Sequence, residues 1–133
     1  MKKFILLVLL CVPGLAVSAT KETSQKALDY CATVESWAAQ KVIDAEWKKN
    51  KQLDRAKASS SLLNRTKLVR GKNAIQLGEW GQLYTQTIEV SIPYIGNQKK
   101  STQFLVSSII SAEECSLTEP AYIDITPGRY IFN

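Results

Sequence analysis

The spacing of apolar residues changes part-way along this chain, and the change limits the folds open to it. From Ser24 to about Trp47, apolar residues recur every three or four positions, which is the pattern of an amphipathic helix. Further along, β-branched and aromatic residues alternate with polar ones between turn formers. The pattern predicts an α+β fold in which one N-terminal amphipathic helix packs on an antiparallel sheet of four or five strands.

Residues 84–92 give the clearest strand signal. Every second residue from Tyr84 to Ile92 is mostly apolar, while the residues between them are Thr, Glu and Ser, so one face is predicted to be core and the other solvated. Pro93 is expected to end this strand. The other predicted elements are a turn at Gly96-Asn97, strands at residues 61–69, 102–111, 122–125 and 130–132, and a turn at Pro127-Gly128.

The first nineteen residues read as a secretory signal peptide. Lys2 and Lys3 precede the apolar residues 4–10, and Val17-Ser18-Ala19 resembles a cleavage site. Residues 20–133 are then expected to form a single domain, located in the periplasm or secreted after cleavage. No apolar stretch of about 18 residues follows that would predict a transmembrane helix.

The two cysteines beyond the predicted leader are Cys31 and Cys115. An even number of cysteines in an exported chain favours a disulfide bond. Cys31 lies on the apolar stripe of the predicted helix, so we expect Cys115 in the layer that this helix faces. With no His, the chain cannot readily supply a metal site, and no cofactor is expected.

Basic residues are concentrated between residues 48 and 72, where nine cations accompany one Asp. A solvated helix end followed by an edge strand protected by lysines would explain such a block. Attachment to an acidic partner protein, to anionic lipid or to lipopolysaccharide would explain it too, whereas nucleic acid fits less well because aromatic residues are not interleaved with the cations. The candidate partner-binding residues are Lys48, Lys49, Lys51, Arg55, Lys57, Arg65, Lys67, Arg70 and Lys72.

Three aromatic residues are harder to place in a core than the others. Trp47 lies beside the basic block, Trp80 lies between Glu79 and a glycine, and Tyr94 follows Pro93 near the predicted hairpin. Each either packs in the fold or is partly exposed as an interface anchor.

The composition argues against most forms of catalysis. A chain without His has no catalytic triad and no His general base, and paired cysteines leave no thiol nucleophile. A carboxylate-based hydrolase stays open, since the chain has Glu79, Glu89, Glu113, Glu114, Glu119 and Asp124. Glu113 and Glu114, as neighbours in a strand, would point to opposite faces and not pair.

The layout resembles small exported cystatin-like proteins typified by the colicin M immunity protein. The resemblance rests on Cys31 ahead of a helix, on residues 90–93 entering a hairpin with Lys99-Lys100 near its tip, and on residues 104–110 leading to Cys115. A helix followed by a strand meander also resembles periplasmic domains of type IV secretion components. Both are analogies of fold, and fold alone does not fix function.

The sequence therefore predicts a non-enzymatic exported protein that binds another cell-envelope protein. The most concrete form of this prediction is an accessory factor for pilus or secretion-system assembly. The alternative is an inhibitor or immunity protein against a toxin or wall-degrading enzyme, and a carboxylate hydrolase is the third hypothesis.

Overall fold

The computed structural model describes residues 24–129, in which two helices pack on a four-stranded antiparallel sheet. The predicted signal peptide and the predicted strand at residues 130–132 lie outside this part. The helices are α1 (residues 24–30) and α2 (Trp37–Lys49). The strands are β1 (Ser59–Lys67), β2 (Val69–Arg70), β3 (Asn73–Ala74), β4 (Tyr84–Tyr94), β5 (Asn97–Ile110) and β6 (Ala121–Asp124), and short 3-10 turns lie at Arg55–Lys57 and Gly78–Trp80.

The prediction of one N-terminal helix is wrong, because the helical pattern contains a break. Residues 31–36 form turns, and α2, which packs on the sheet, begins only at Trp37. The Thr33 hydroxyl donates to the Tyr30 carbonyl, and a hydroxyl that bonds local backbone competes with helix continuation. Ser36 has extended backbone geometry at the start of α2. The apolar spacing continues through this turn, so periodicity alone did not reveal it.

The apolar stripe of α2 forms the core with the central strands. The main sheet has the order β1-β4-β5-β6 with antiparallel neighbours, so β4 and β5 lie beneath the helix. The ring of Phe104 also meets that of Tyr122 edge to face, with centroids 5.7 Å apart. The side chains joined in this core include Ala38, Ala39, Val42, Ile43, Ile88, Val90, Phe104 and Val106, each at most 2% exposed.

The alternation predicted for β4 is confirmed, but the strand continues past Pro93 to Tyr94. The Pro93 carbonyl accepts a hydrogen bond from the Asp54 backbone N–H at 2.7 Å, and the β4–β5 register shifts next to it. The two hairpin residues are Ile95 and Gly96 rather than Gly96-Asn97. Gly96 has φ of +77°, which glycine adopts without steric cost.

The Cys31–Cys115 disulfide is present, and it closes 84 residues of chain. We expected Cys115 in the sheet layer, but it lies in the loop after β5. The Ser111 hydroxyl holds this loop by accepting the backbone N–H groups of Glu113 and Glu114, both at 3.1 Å. The predicted strand through these two residues is therefore wrong, since their N–H groups are engaged locally.

Arg65 forms a second link between the sheet and α1. Its guanidinium donates to the Leu28 carbonyl at 2.6 Å, to Asp29 at 2.9 Å and to the Gln86 side-chain oxygen. The Gln86 amide in turn donates to the Cys31 carbonyl at 2.9 Å. The Arg65 side chain is only 9% exposed, so it works inside the fold although it belongs to the basic block.

Loss of the disulfide is expected to destabilise the fold strongly. The double variant Cys31→Ser, Cys115→Ser should lose about 4 kcal/mol of unfolding free energy, because the denatured chain regains the freedom of the closed loop. Urea denaturation of both proteins measures the difference. Mass spectrometry of the native protein should show two hydrogen atoms fewer than the reduced chain, and equal stability of both forms would contradict a structural role.

Arg65→Ala should lower the unfolding free energy by about 2 to 3 kcal/mol. The reason is that the Leu28 carbonyl and the Gln86 side-chain oxygen lose their charged hydrogen-bond donor. Lys67→Ala is the matched control, because Lys67 is exposed on the same strand, and its effect should stay within about 0.5 kcal/mol. The hydrogen bond from Arg65 lowers the pKa of Asp29. The stabilisation that the Arg65–Asp29 contact contributes is therefore present above the usual pKa of Asp. It is lost as the pH falls through the lowered pKa of Asp29. Urea curves that coincide for both variants would contradict this function of Arg65.

Candidate functional site

The structure divides the basic block between two ends of the molecule. Residues 48–57 comprise the end of α2 and the loop after it, and they lie at the end of the sheet where the β4–β5 hairpin turns. Lys67 pairs with Tyr84 at the opposite end of β4, and Arg70 and Lys72 follow it there. Arg65 is internal.

Backbone hydrogen bonds hold the loop after α2 against the hairpin. The Ile95 N–H donates to the Gln52 carbonyl at 2.8 Å, and Leu53 forms a bridge with Tyr94 while its side chain is 2% exposed. Lys99 and Lys100 on β5 therefore join the cations at the end of α2 and in the loop after it. We call this surface the basic pole, and it comprises Lys48, Lys49, Lys51, Arg55, Lys57, Lys99 and Lys100.

Aromatic rings position three cations of the basic pole. Trp47 lies under two of them, with the Lys51 Nζ 3.2 Å and the Arg55 Cζ 4.3 Å from its ring centroid. The Lys100 Nζ lies 4.6 Å from the Tyr94 ring centroid. Such contacts contribute about 0.5–1 kcal/mol at exposed sites and restrict flexible side chains. Trp47 and Tyr94 are thus half-buried supports for cations.

The basic pole keeps an excess of positive charge. Arg55 pairs with Asp44 at 3.3 Å, and Lys49 pairs with Glu46 at 2.7 Å. Among residues 24–129, the other five lysines of the pole have no carboxylate within salt-bridge distance; they are Lys48, Lys51, Lys57, Lys99 and Lys100.

A hydrogen-bonded group fixes the end of α2 to the edge strand β6. The Tyr122 hydroxyl donates to Glu46 at 2.8 Å, and Lys49 donates to the same carboxylate oxygen. Burial and the Glu46 carboxylate raise the pKa of Tyr122, while Glu46 also raises that of Lys49. The raised pKa keeps the Tyr122 hydroxyl protonated at neutral pH as the donor to Glu46, so this group serves to position α2.

A cavity beside the hairpin extends the pole towards the turn after β6. Tyr94, Lys99, Lys100 and Ser101 line one side, and residues 126–129 line the other.

Burial alone would raise the pKa of Asp124, but hydrogen bonds from Thr126 and the neighbouring Arg129 lower it. The Pro127-Gly128 turn is present, with φ of +80° at Gly128.

The remaining candidate residues lie apart from the basic pole. Trp80 is half-buried in the 3-10 turn before β4, next to the exposed Glu79. Glu89 lies on the solvated face of β4, and Glu119 pairs with Lys41 at 3.4 Å. Within residues 24–129, no three metal-ligating side chains cluster, and no helix has the length and apolar character needed to cross a bilayer.

Comparison of the chain with known protein families, with curated proteins and with solved structures gives no match. The interpretation of the basic pole therefore rests on its own residues.

Tyr122→Phe should lower the unfolding free energy by about 1 kcal/mol at neutral pH, because the hydrogen bond to Glu46 is lost. Since the folded-state pKa of Tyr122 is raised, the advantage of the parent protein is complete below the ordinary Tyr pKa and disappears as the pH rises through the raised value. Denaturation at several alkaline pH values tests this. Equal stability of the two proteins at neutral pH would show that the hydroxyl contributes nothing.

Proposed function

We propose that this protein is a non-enzymatic exported protein that binds an acidic surface of another cell-envelope protein through its basic pole. In its most concrete form, the proposal describes an accessory factor for pilus or secretion-system assembly. The observation that carries the proposal is the meeting of two separate cationic segments, residues 48–57 and 99–100, at one end of the fold.

The electrostatics of the pole favour protein binding. Its unpaired lysines attract an acidic partner at long range and raise the rate of encounter, although salt screens this effect. Because aromatic rings already restrict Lys51, Arg55 and Lys100, less side-chain freedom is lost on binding.

The hairpin tip adds an apolar group to the charged surface. Ile95 is 64% exposed, and its backbone is tied to Gln52. An apolar side chain within a ring of charges resembles the anchor of a protein interface, where a few central residues supply most of the binding energy.

The same hairpin favours one alternative, an inhibitor or immunity protein. A braced two-residue turn that carries an exposed apolar side chain suits insertion into the cleft of a toxin or wall-degrading enzyme. The two functions differ in the identity of the partner and in whether its enzymatic activity falls when this protein binds.

The test is affinity purification from the native envelope with matched charge variants. Lys48→Glu, Lys51→Glu, Lys99→Glu combines reversals from both segments of the pole and should weaken partner capture by at least about tenfold. It should also flatten the decline of capture with salt. The matched control carries three reversals at the other end of the sheet, Lys67→Glu, Arg70→Glu, Lys72→Glu, and should capture the same partner normally.

Equal capture by the parent protein and the pole variant at low salt would overturn the proposal. Capture of a toxin or wall-degrading enzyme whose activity is then blocked would favour the inhibitor instead. Circular dichroism of every variant confirms that the comparison is between folded proteins.

A further inference from the structure

The chain between β1 and β4 forms a small lobe at the end of the sheet opposite the basic pole. This lobe, residues 68–83, contains β2 and β3, which pair with each other and belong to a separate two-stranded sheet. Its base is held by the Gln82 side-chain amide, which lies within hydrogen-bond distance of the Leu68, Ile75 and Leu83 carbonyls. These hydrogen bonds give the lobe a defined conformation.

Apolar side chains of the lobe point into solvent. Val69 is 53% exposed and Leu77 is 50% exposed, and all four residues of β2 and β3 are exposed. Val69 pairs directly with Ala74, so both lie on one face of the hairpin, while Arg70 and Asn73 lie on the other. The lobe thus keeps two large apolar side chains in contact with water.

Three cations lie within three residues of Val69 in the chain. Lys67, Arg70 and Lys72 are exposed, and within residues 24–129 none of them lies within salt-bridge distance of a carboxylate. Glu79 is the one acidic residue among residues 67–83. The lobe therefore combines apolar groups with a clear positive excess.

We propose that this lobe docks on a phospholipid surface with anionic headgroups. Val69 and Leu77 enter the boundary between headgroups and acyl chains, and the three cations contact lipid phosphates. A membrane surface needs only a few inserted side chains when cations beside them meet anionic headgroups, and this is the combination that the lobe offers.

The geometry leaves the basic pole free when the lobe is docked. The eleven residues of β4 separate the two ends by about 33 Å, at about 3.3 Å per residue. Membrane docking is therefore an activity additional to the proposed protein binding, and it does not depend on it.

The experiment uses vesicles of equimolar phosphatidylglycerol and phosphatidylethanolamine, with phosphatidylcholine vesicles as the neutral comparison. Trp80 lies within the lobe, so a Trp37→Phe, Trp47→Phe protein carries its only remaining tryptophan there. We expect co-sedimentation with the anionic vesicles only. Trp80 emission should shift to the blue, and brominated lipids should quench it.

Two variants test the two parts of the surface. Lys67→Glu, Arg70→Glu, Lys72→Glu should weaken partition onto anionic vesicles by at least about a hundredfold, since each cation near such a surface contributes about fivefold. Val69→Ser, Leu77→Ser should weaken it by about tenfold or more, because two apolar side chains no longer leave water. Both sites are exposed, so the fold is expected to persist, and circular dichroism checks this.

The matched control is the pole variant Lys48→Glu, Lys51→Glu, Lys99→Glu, which should bind vesicles within a few-fold of the parent protein. An equal loss of vesicle binding in the pole variant would overturn the proposal, because vesicle binding would then depend on the total charge of the protein and not on the lobe. An unquenched Trp80 would also overturn it. A lobe variant that keeps vesicle binding but fails to capture the envelope partner would identify the lobe as a protein-binding surface instead. Failure of the protein-binding proposal is read separately, from partner capture by the pole variant.

Discussion

Most of the buried side chains of β4 and β5 lie on one face of the main sheet, and the rest of the structure depends on this constraint. The side chains of β4 alternate so that Ile88, Val90 and Ile92 are buried beneath α2, while Thr85, Thr87 and Glu89 face the other way. Both helices must then lie on the same side of the sheet. The polar connections run around the sheet ends, and that is where the cations accumulate.

The helical layer is held to the sheet by three chemically different links. The Cys31–Cys115 bond and the Arg65 guanidinium act at α1, and the Tyr122–Glu46 hydrogen bond acts at the end of α2. A domain of this size buries a modest core, so these links account for an important share of its marginal stability. They also fix the direction of α2 and hence the position of the lysines at its end and in the loop after it.

The two ends of the sheet have different surface chemistry. At the basic pole, cations lie on aromatic rings around a braced hairpin, which suits an acidic protein surface. At the lobe, cations lie beside exposed Val69 and Leu77, which suits a lipid surface. The two proposals together describe a small adaptor that holds a partner near a membrane, with salt weakening both contacts.

Apolar periodicity was sufficient to predict the α+β class and the paired strands β4 and β5, because these depend on local spacing. The even number of cysteines beyond the predicted leader was sufficient to predict the disulfide bond. It did not reveal the turn at residues 31–36, since a short turn preserves the spacing of the apolar residues. Nor did it separate Arg65, which is buried by contacts with α1 that are distant in sequence, from the exposed cations around it. The sequence by itself determined how many cations the chain carries and where along it they lie. Only the tertiary structure decided that they form two surfaces, because loops after α2 and around β2 and β3 are brought to opposite ends by the antiparallel pairing of β1 with β4.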